Sequence, residues 1–242
     1  MKVVLFGATG MVGSGVLLEC LDSPRVASVV SVSRSSTGVS HPKLREVLHR
    51  DILEFKTIRE DFVGADACFF CLGVSSTGMR EAEYRSLTHD VTLAAATEML
   101  AVSPQLTFIF VSGDGTDSTE RGRSMWARVK GKTENDLLAM PFKAAYMFRP
   151  GFIQPLRGVR SKTPAYQAMY NVTRPITPML RALFPRHTTT TVNMGRAMIE
   201  VAVEGFPRSI INSADINALA EATTNPEHDT ASASRATNGD TR

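Results

Sequence analysis

The chain has 242 residues, 43% hydrophobic and 21% charged, with a formal net charge of +3. That composition suits one folded domain with a sizeable core, and it excludes the strong basic excess of a nucleic-acid binder. Three cysteines cannot make a disulfide scaffold, and no apolar run approaches the ~20 residues of a membrane span, so a cytoplasmic location is the expectation.

Lys2-Val3-Val4-Leu5-Phe6 reads as a buried parallel strand. It runs directly into Gly7-Ala8-Thr9-Gly10-Met11-Val12-Gly13 and then a helix over 11–22. Glycines at this spacing let the backbone turn sharply and approach a pyrophosphate, while the helix aims free N–H groups at the same charge. An ordinary Gly-rich turn is the competing reading. Strand, turn and helix in that order favour a dinucleotide loop, with Gly7, Thr9, Gly10, Met11, Val12 and Gly13 against the cofactor.

Further strands are predicted at 27–33, 45–49, 66–72, 106–112, 144–149 and 209–212, and helices at 54–62, 80–101, 126–139 and 192–204, with more helix within 164–184. Their alternation predicts an α/β fold: a doubly wound, mostly parallel Rossmann sheet with helices on both faces. The expected plan is one domain over 1–220, with 1–150 as cofactor core and 151–220 as a small substrate and lid region. Residues 221–242 carry no large apolar side chain and read as a disordered tail.

The second strand ends at Val32-Ser33-Arg34-Ser35-Ser36, where an NAD binder usually places a carboxylate for the ribose 2′-hydroxyl. Arg34 suits a 2′-phosphate instead, through paired guanidinium donors, so NADP(H) is favoured over NAD(H). Asp51 and Ile52 are expected at the adenine edge, although Asp51 serves equally as an N-cap. Cys71, Leu72 and Gly73 follow the fourth strand on the same rim, and Gly73 permits close backbone approach. Cys68 and Cys71 have CxxC spacing, but within an extended run they point to opposite faces. Buried free thiols are expected there, not a redox pair or a metal site.

These features resemble the short-chain dehydrogenase/reductase superfamily. The glycine motif is of the extended and atypical form, and the chain is most similar to the Tat-interacting, oxidoreductase-like group. Cys71-Leu72-Gly73, Val111-Ser112-Gly113, Val129-Lys130-Gly131-Lys132-Thr133-Glu134 and Phe148-Arg149-Pro150-Gly151 carry the likeness, which runs to about residue 220. The resemblance implies a Ser, a Tyr-x-x-x-Lys pair and a cofactor contact at Pro150. Ser112 and Lys130 match; position 126 is Trp126, not tyrosine. An indole does not ionise usefully, so Trp126 cannot be the general acid. It either covers the nicotinamide or packs in the core beneath the helix, and Lys130 has an alternative as an i,i+4 partner of Glu134. Candidate replacement donors are Tyr84, Tyr166, Tyr170, Asp114 and water relayed by Ser112.

From Leu137 to Ile199 there are nine Lys and Arg and no Asp or Glu. This positive stretch suggests an anionic small-molecule substrate. Its apolar residues, Tyr166 to Phe184, read as a lid; prolines argue against an amphipathic membrane helix. His187 is by default a loop histidine, with a proton relay as the sharper role. Three functions remain open: an NADP(H)-dependent oxidoreductase on a small carbonyl or hydroxyl compound; a redox-silent NADP(H) sensor acting on a protein partner; and an NAD-dependent sugar-nucleotide epimerase. No nucleic acid or metal is expected.

Overall fold

The computed structural model describes residues 1–159 and 187–223. Its strands are β1 (Lys2–Phe6), β2 (Ser28–Ser33), β3 (Leu44–Leu48), β4 (Ala67–Phe70), β5 (Thr107–Val111), β6 (Ala144–Arg149), β7 (Phe152–Gln154), β8 (Thr188–Thr190) and β9 (Ile210–Asn212). The helices are α1 (Met11–Asp22), α2 (Glu81–Arg85), α3 (Val91–Val102), α4 (Met125–Ala139), α5 (Thr191–Glu204) and α6 (Ser213–Ala222). Seven strands form one parallel sheet in the order β3-β2-β1-β4-β5-β6-β9. The order reverses direction between β1 and β4, which opens a crevice at the carboxyl ends of those strands.

Both sheet faces are covered, which is why β1 is apolar at every inner position. Val3 and Leu5 enter a core with Val16, Leu17, Cys20, Met194 and Met198. Val4 and Phe6 enter a second core with Phe62, Phe70, Val91, Met99 and Leu137 on the opposite face. Cys68 belongs to this second core and Cys71 packs on the first, so the two thiols lie on opposite sides as their spacing predicts. All three cysteines are free.

Several boundaries differ from the sequence reading. The fourth strand stops at Phe70, leaving Cys71-Leu72-Gly73 beyond it. The helix expected over 54–62 is a 3-10 segment, Lys56–Phe62. The run expected over 80–101 contains a π-helical turn, Ser86–Asp90, between α2 and α3. There the buried His89 places Nδ1 2.7 Å from Asp90 and Nε2 2.6 Å from Asp136 on α4. Two features were not anticipated. A separate parallel pair, β7 with β8, leads away from β6, and α6 extends to Ala222 with Asn212 and Asp215 forming a reciprocal cap. The helix expected within 164–184, and the expected tail beyond 223, lie outside the described residues.

Residues 113–122 cross over α4 on their way from β5. Asp117 N–H donates to the Ala127 carbonyl at 3.1 Å, and Asn135 donates to the Ser118 carbonyl at 3.0 Å. The crossing depends on Gly131, where a Cβ would stand 1.8 Å from the Asp117 carbonyl oxygen. Gly131→Ala forces backbone apart at that point, and overpacking of this kind costs roughly 2 kcal/mol or more. The expected loss in melting temperature, measured by calorimetry, is at least about 4 °C for a chain of this size.

Candidate functional site

Gly10 N–H donates to the Gly7 carbonyl at 2.9 Å, and Ser14 N–H donates to the Gly10 carbonyl at 2.9 Å. The turn is thereby closed before α1 begins. Gly7 has φ of +82°, and a Cβ there would stand 2.7 Å from the Cys71 carbonyl oxygen. At Gly13 a Cβ would stand 2.1 Å from the Gly7 carbonyl oxygen. Backbone pressed on backbone sets the loop against the end of β4. The outer side of the turn is open: only the Gly7 carbonyl oxygen, at 3.3 Å, lies near a Cβ built at Gly10. Thr190 caps α5 and Asn212 caps α6, but no side chain caps α1 and its first turn holds no acid. Its N–H groups, at Met11, Val12 and Gly13, therefore suit a diphosphate.

Around this loop, Arg34 is exposed just past β2 and has no ion-pair partner among the described residues. The nearby Glu46 of β3 does not supply the missing ribose carboxylate. Its oxygens accept from Thr37 N–H at 2.6 Å and from the Ser36 hydroxyl at 2.7 Å, and the Thr37 bond leads in holding its carboxyl below the usual range. Asp51 is not an N-cap; it accepts from Leu53 N–H at 3.1 Å, and the 3-10 segment starts later. Ile52 and Leu72 lean on the second core, while Gly73 faces open space. Thr9 and Pro150 sit at the ends of β1 and β6, on the same carboxyl rim.

At the end of β5, Lys130 Nζ donates to the Val111 carbonyl at 3.3 Å and the Ser112 carbonyl at 3.1 Å, and lies 5.5 Å above the Phe110 ring. Burial lowers its pKa to about 8 against an opposing pull from Glu134. The simple i,i+4 alternative for Lys130 fails, because Glu134 is 1% exposed and gripped by Arg149. The Ser112 hydroxyl meets that of Thr116 at 2.8 Å, and Thr116 donates its own proton to the Gly113 carbonyl at 2.7 Å. Ser112 is consequently the donor to Thr116. Trp126 is not a core residue: it is half-buried, with its indole against Gly113 and Gly115 on the loop after β5. Tyr84 is buried, and that burial pushes its phenol up, which makes it a weaker acid than an exposed tyrosine. Tyr166 and Tyr170, with the expected lid, lie outside the described residues.

The positive stretch is not a bare wall. Arg149 is taken by Glu134; Arg157 pairs with Glu19 and Asp22, each at 2.8 Å; Arg196 pairs with Glu19 at 3.0 Å. Acids from α1 and α4 neutralise these three arginines; Arg160, Lys162, Arg174, Arg181 and Arg186 lie outside the described residues. A cleft of about 430 Å³ opens beside β6 and β9, lined by Asp114, Arg149, His187, Asn212, Ser213, Ala214 and Asp215. Within it His187 Nδ1 stands 3.4 Å from Asp114 Oδ2, a pairing that separation along the chain concealed.

Residues 3–118 match the NAD dependent epimerase/dehydratase family. The chain is 26% identical over 159 residues to Protein FMP52, mitochondrial, of Meyerozyma guilliermondii, covering 63% of this chain and 65% of that one. To the protein of the same name in Debaryomyces hansenii it is 27% identical over 165 residues, covering 67% and 70%. The first of these matches spans just under two thirds of its relative's length. Among solved structures, Bordetella bronchiseptica WbmF in complex with NAD+ superposes with a TM-score of 0.62 at 16% identity, covering 93% and 79% of the two chains. UDP-N-acetylglucosamine 4-epimerase from Methanobrevibacter ruminantium M1 gives 0.62 at 15% identity, covering 87% and 75%. These matches bear out the resemblance and the fold. They overturn the cytoplasmic expectation, because the curated relatives are named as mitochondrial proteins. Free buried thiols fit any reducing compartment and could not separate the two.

Lys130 provides a test of the site's electrostatics without a ligand. Its pKa in the fold, about 8, lies below the ordinary 10.5, so between those values the unfolded chain binds the extra proton. Stability contributed through this group therefore rises with pH across that window. Lys130→Met removes the dependence. Thermal melts of the nucleotide-free protein should show the parent gaining on the variant as pH increases from about 8 to 10.5.

Proposed function

We propose that this Rossmann-fold chain is a member of the short-chain dehydrogenase/reductase superfamily and an NADP(H)-binding oxidoreductase for a small carbonyl or hydroxyl compound. The carrying observation is the convergence on one rim of the uncapped α1 turn and Lys130. The turn receives the diphosphate, and Lys130, anchored on two carbonyls at the end of β5, reaches the nicotinamide ribose. A bound reduced nicotinamide would supply the hydride. The protein's own share is to orient that ring, shield it beneath Trp126 and handle one proton.

NADP(H) is preferred over NAD(H) on the strength of Arg34. Its guanidinium has no ion-pair partner among the described residues, while the Glu46 carboxylate on the neighbouring strand is occupied by its own loop. A charge-assisted guanidinium–phosphate pair contributes about 1.5–3 kcal/mol. Arg34→Ala should therefore weaken NADPH by roughly tenfold or more and leave NADH nearly unchanged, as read by calorimetric titration. Equal losses for both nucleotides would remove the preference. Gly10→Asp places a carboxylate where the diphosphate belongs, and its expected outcome in the same titration is loss of measurable affinity for either nucleotide.

A further inference from the structure

Among the described residues, the donor candidates considered so far supply no proton to the hydride site. Trp126 has none to give, the Ser112 hydroxyl is spent on Thr116, and Tyr84 is buried. The cleft beside β6 holds a group that does. Asp114 follows Ser112 by two residues, a reach of at most about 7 Å along the chain. Its N–H donates to the Pro150 carbonyl at 2.9 Å, one step on from the bond between Ser112 N–H and the Phe148 carbonyl at 2.8 Å. The β5–β6 ladder thus continues past the strands and holds Asp114 over the carboxyl rim. His187 is fixed from the other side: Phe152 N–H donates to its carbonyl at 2.8 Å, and β8 begins at the next residue. Gly151 allows this approach, since a Cβ there would stand 2.3 Å from the His187 carbonyl oxygen.

We infer that His187, oriented by Asp114, is the proton donor and acceptor of this site in place of the phenol absent at position 126. The inference rests on the oxidoreductase reading and names the residue that completes it. With Nδ1 toward the Asp114 carboxylate at 3.4 Å, Nε2 is the ring position left for a substrate oxygen. The bond is long, as catalytic contacts commonly are before substrate seats. Among the described residues, the other charged groups lining the cleft are engaged elsewhere. Arg149 holds Glu134, and Asp215 accepts from Arg208 at 2.6 Å. Asp114 is the carboxylate left to balance an imidazolium.

The step balances. In reduction the carbonyl carbon gains a hydride, with its electron pair, from the reduced nicotinamide, and a C–H bond forms. The carbonyl π pair moves to oxygen, which takes the proton from Nε2; the N–H pair stays on the now neutral ring. The cofactor loses two electrons and the carbonyl gains two. His187 is 69% exposed and regains its proton from water. Oxidation of an alcohol runs the same path backward.

The test uses the full chain, NADPH and 9,10-phenanthrenequinone as a generic carbonyl. His187→Ala should bind NADPH as the parent does, yet reduce the quinone about 10²-fold more slowly in single turnover. Added imidazole should restore much of the rate. Asp114→Asn should show a smaller loss without rescue. A second readout needs no turnover: saturating NADPH should slow carbethoxylation of His187 by diethyl pyrocarbonate, followed by peptide mass, and leave His41 unaffected. The assignment is overturned if His187→Ala keeps the parent rate, if imidazole rescues nothing, or if NADPH leaves His187 equally reactive. A parent that binds NADPH but oxidises none of it also overturns the assignment and leaves the nucleotide site standing. Failure to bind either nucleotide overturns both readings.

Discussion

The architecture depends on a line of positions that carry no Cβ. Gly7 lies on the Cys71 carbonyl, Gly13 on the Gly7 carbonyl, and Gly15 on Thr191 at the start of α5; Gly195 of α5 in turn meets Glu19. A single methyl group at any of the four enters space already filled. Close packing of interiors makes such conflicts costly, because neighbours relax only partly. One consequence is that α1 is seated deeply enough for its first turn to point into the crevice between β1 and β4. Another is that α5, a late element, is locked to the earliest helix of the chain. The loop that would hold a diphosphate is therefore supported by segments from both ends of the sequence.

The same seating explains an unusual acid. Glu19 is 7% exposed on α1, and burying a carboxylate is tolerable only with partners. Arg157 and Arg196 provide them from residues more than a hundred positions away. Arg149 does the same for Glu134 on α4. Both acids stand on helices that carry site residues, and all three arginines that reach them come from the acid-free stretch. Among the described residues of that stretch, Arg149, Arg157 and Arg196 are thus spent on holding the scaffold together.

These pairings mark where sequence reading stops. Parallel strands buried on both faces, the glycine turn and the alternation of elements are local patterns, and all were legible. So was the separation of Cys68 from Cys71, which follows from strand geometry. The 3-10 segment and the π turn were not, because hydrophobic periodicity does not distinguish helices that differ by one residue per hydrogen bond. The β7–β8 pair has three residues per strand, too few to show alternation. Asp51 read as a cap because its residue type suits a cap as well as a turn. The Arg149, Arg157 and Arg196 partnerships, and the approach of His187 to Asp114, exist only once distant segments are folded together.

The site also shows which parts of such chemistry can move and which cannot. A diphosphate needs several N–H groups converging from a helix end, and that geometry is tied to the glycine line and hence to the core. Lys130 is similarly fixed, since its ammonium is held by two carbonyls at the tip of β5. A proton donor has a looser requirement: one group within hydrogen-bond reach of one oxygen. Any segment that borders the rim can meet it. The loop after β5 and the turn before β8 both do, because the extended β5–β6 ladder and the short β7–β8 pair bring Asp114 and His187 to the same cleft. Replacement of the helical phenol by Trp126 then costs the site a residue but not a role, and the indole is free to cover the loop at Gly113 and Gly115.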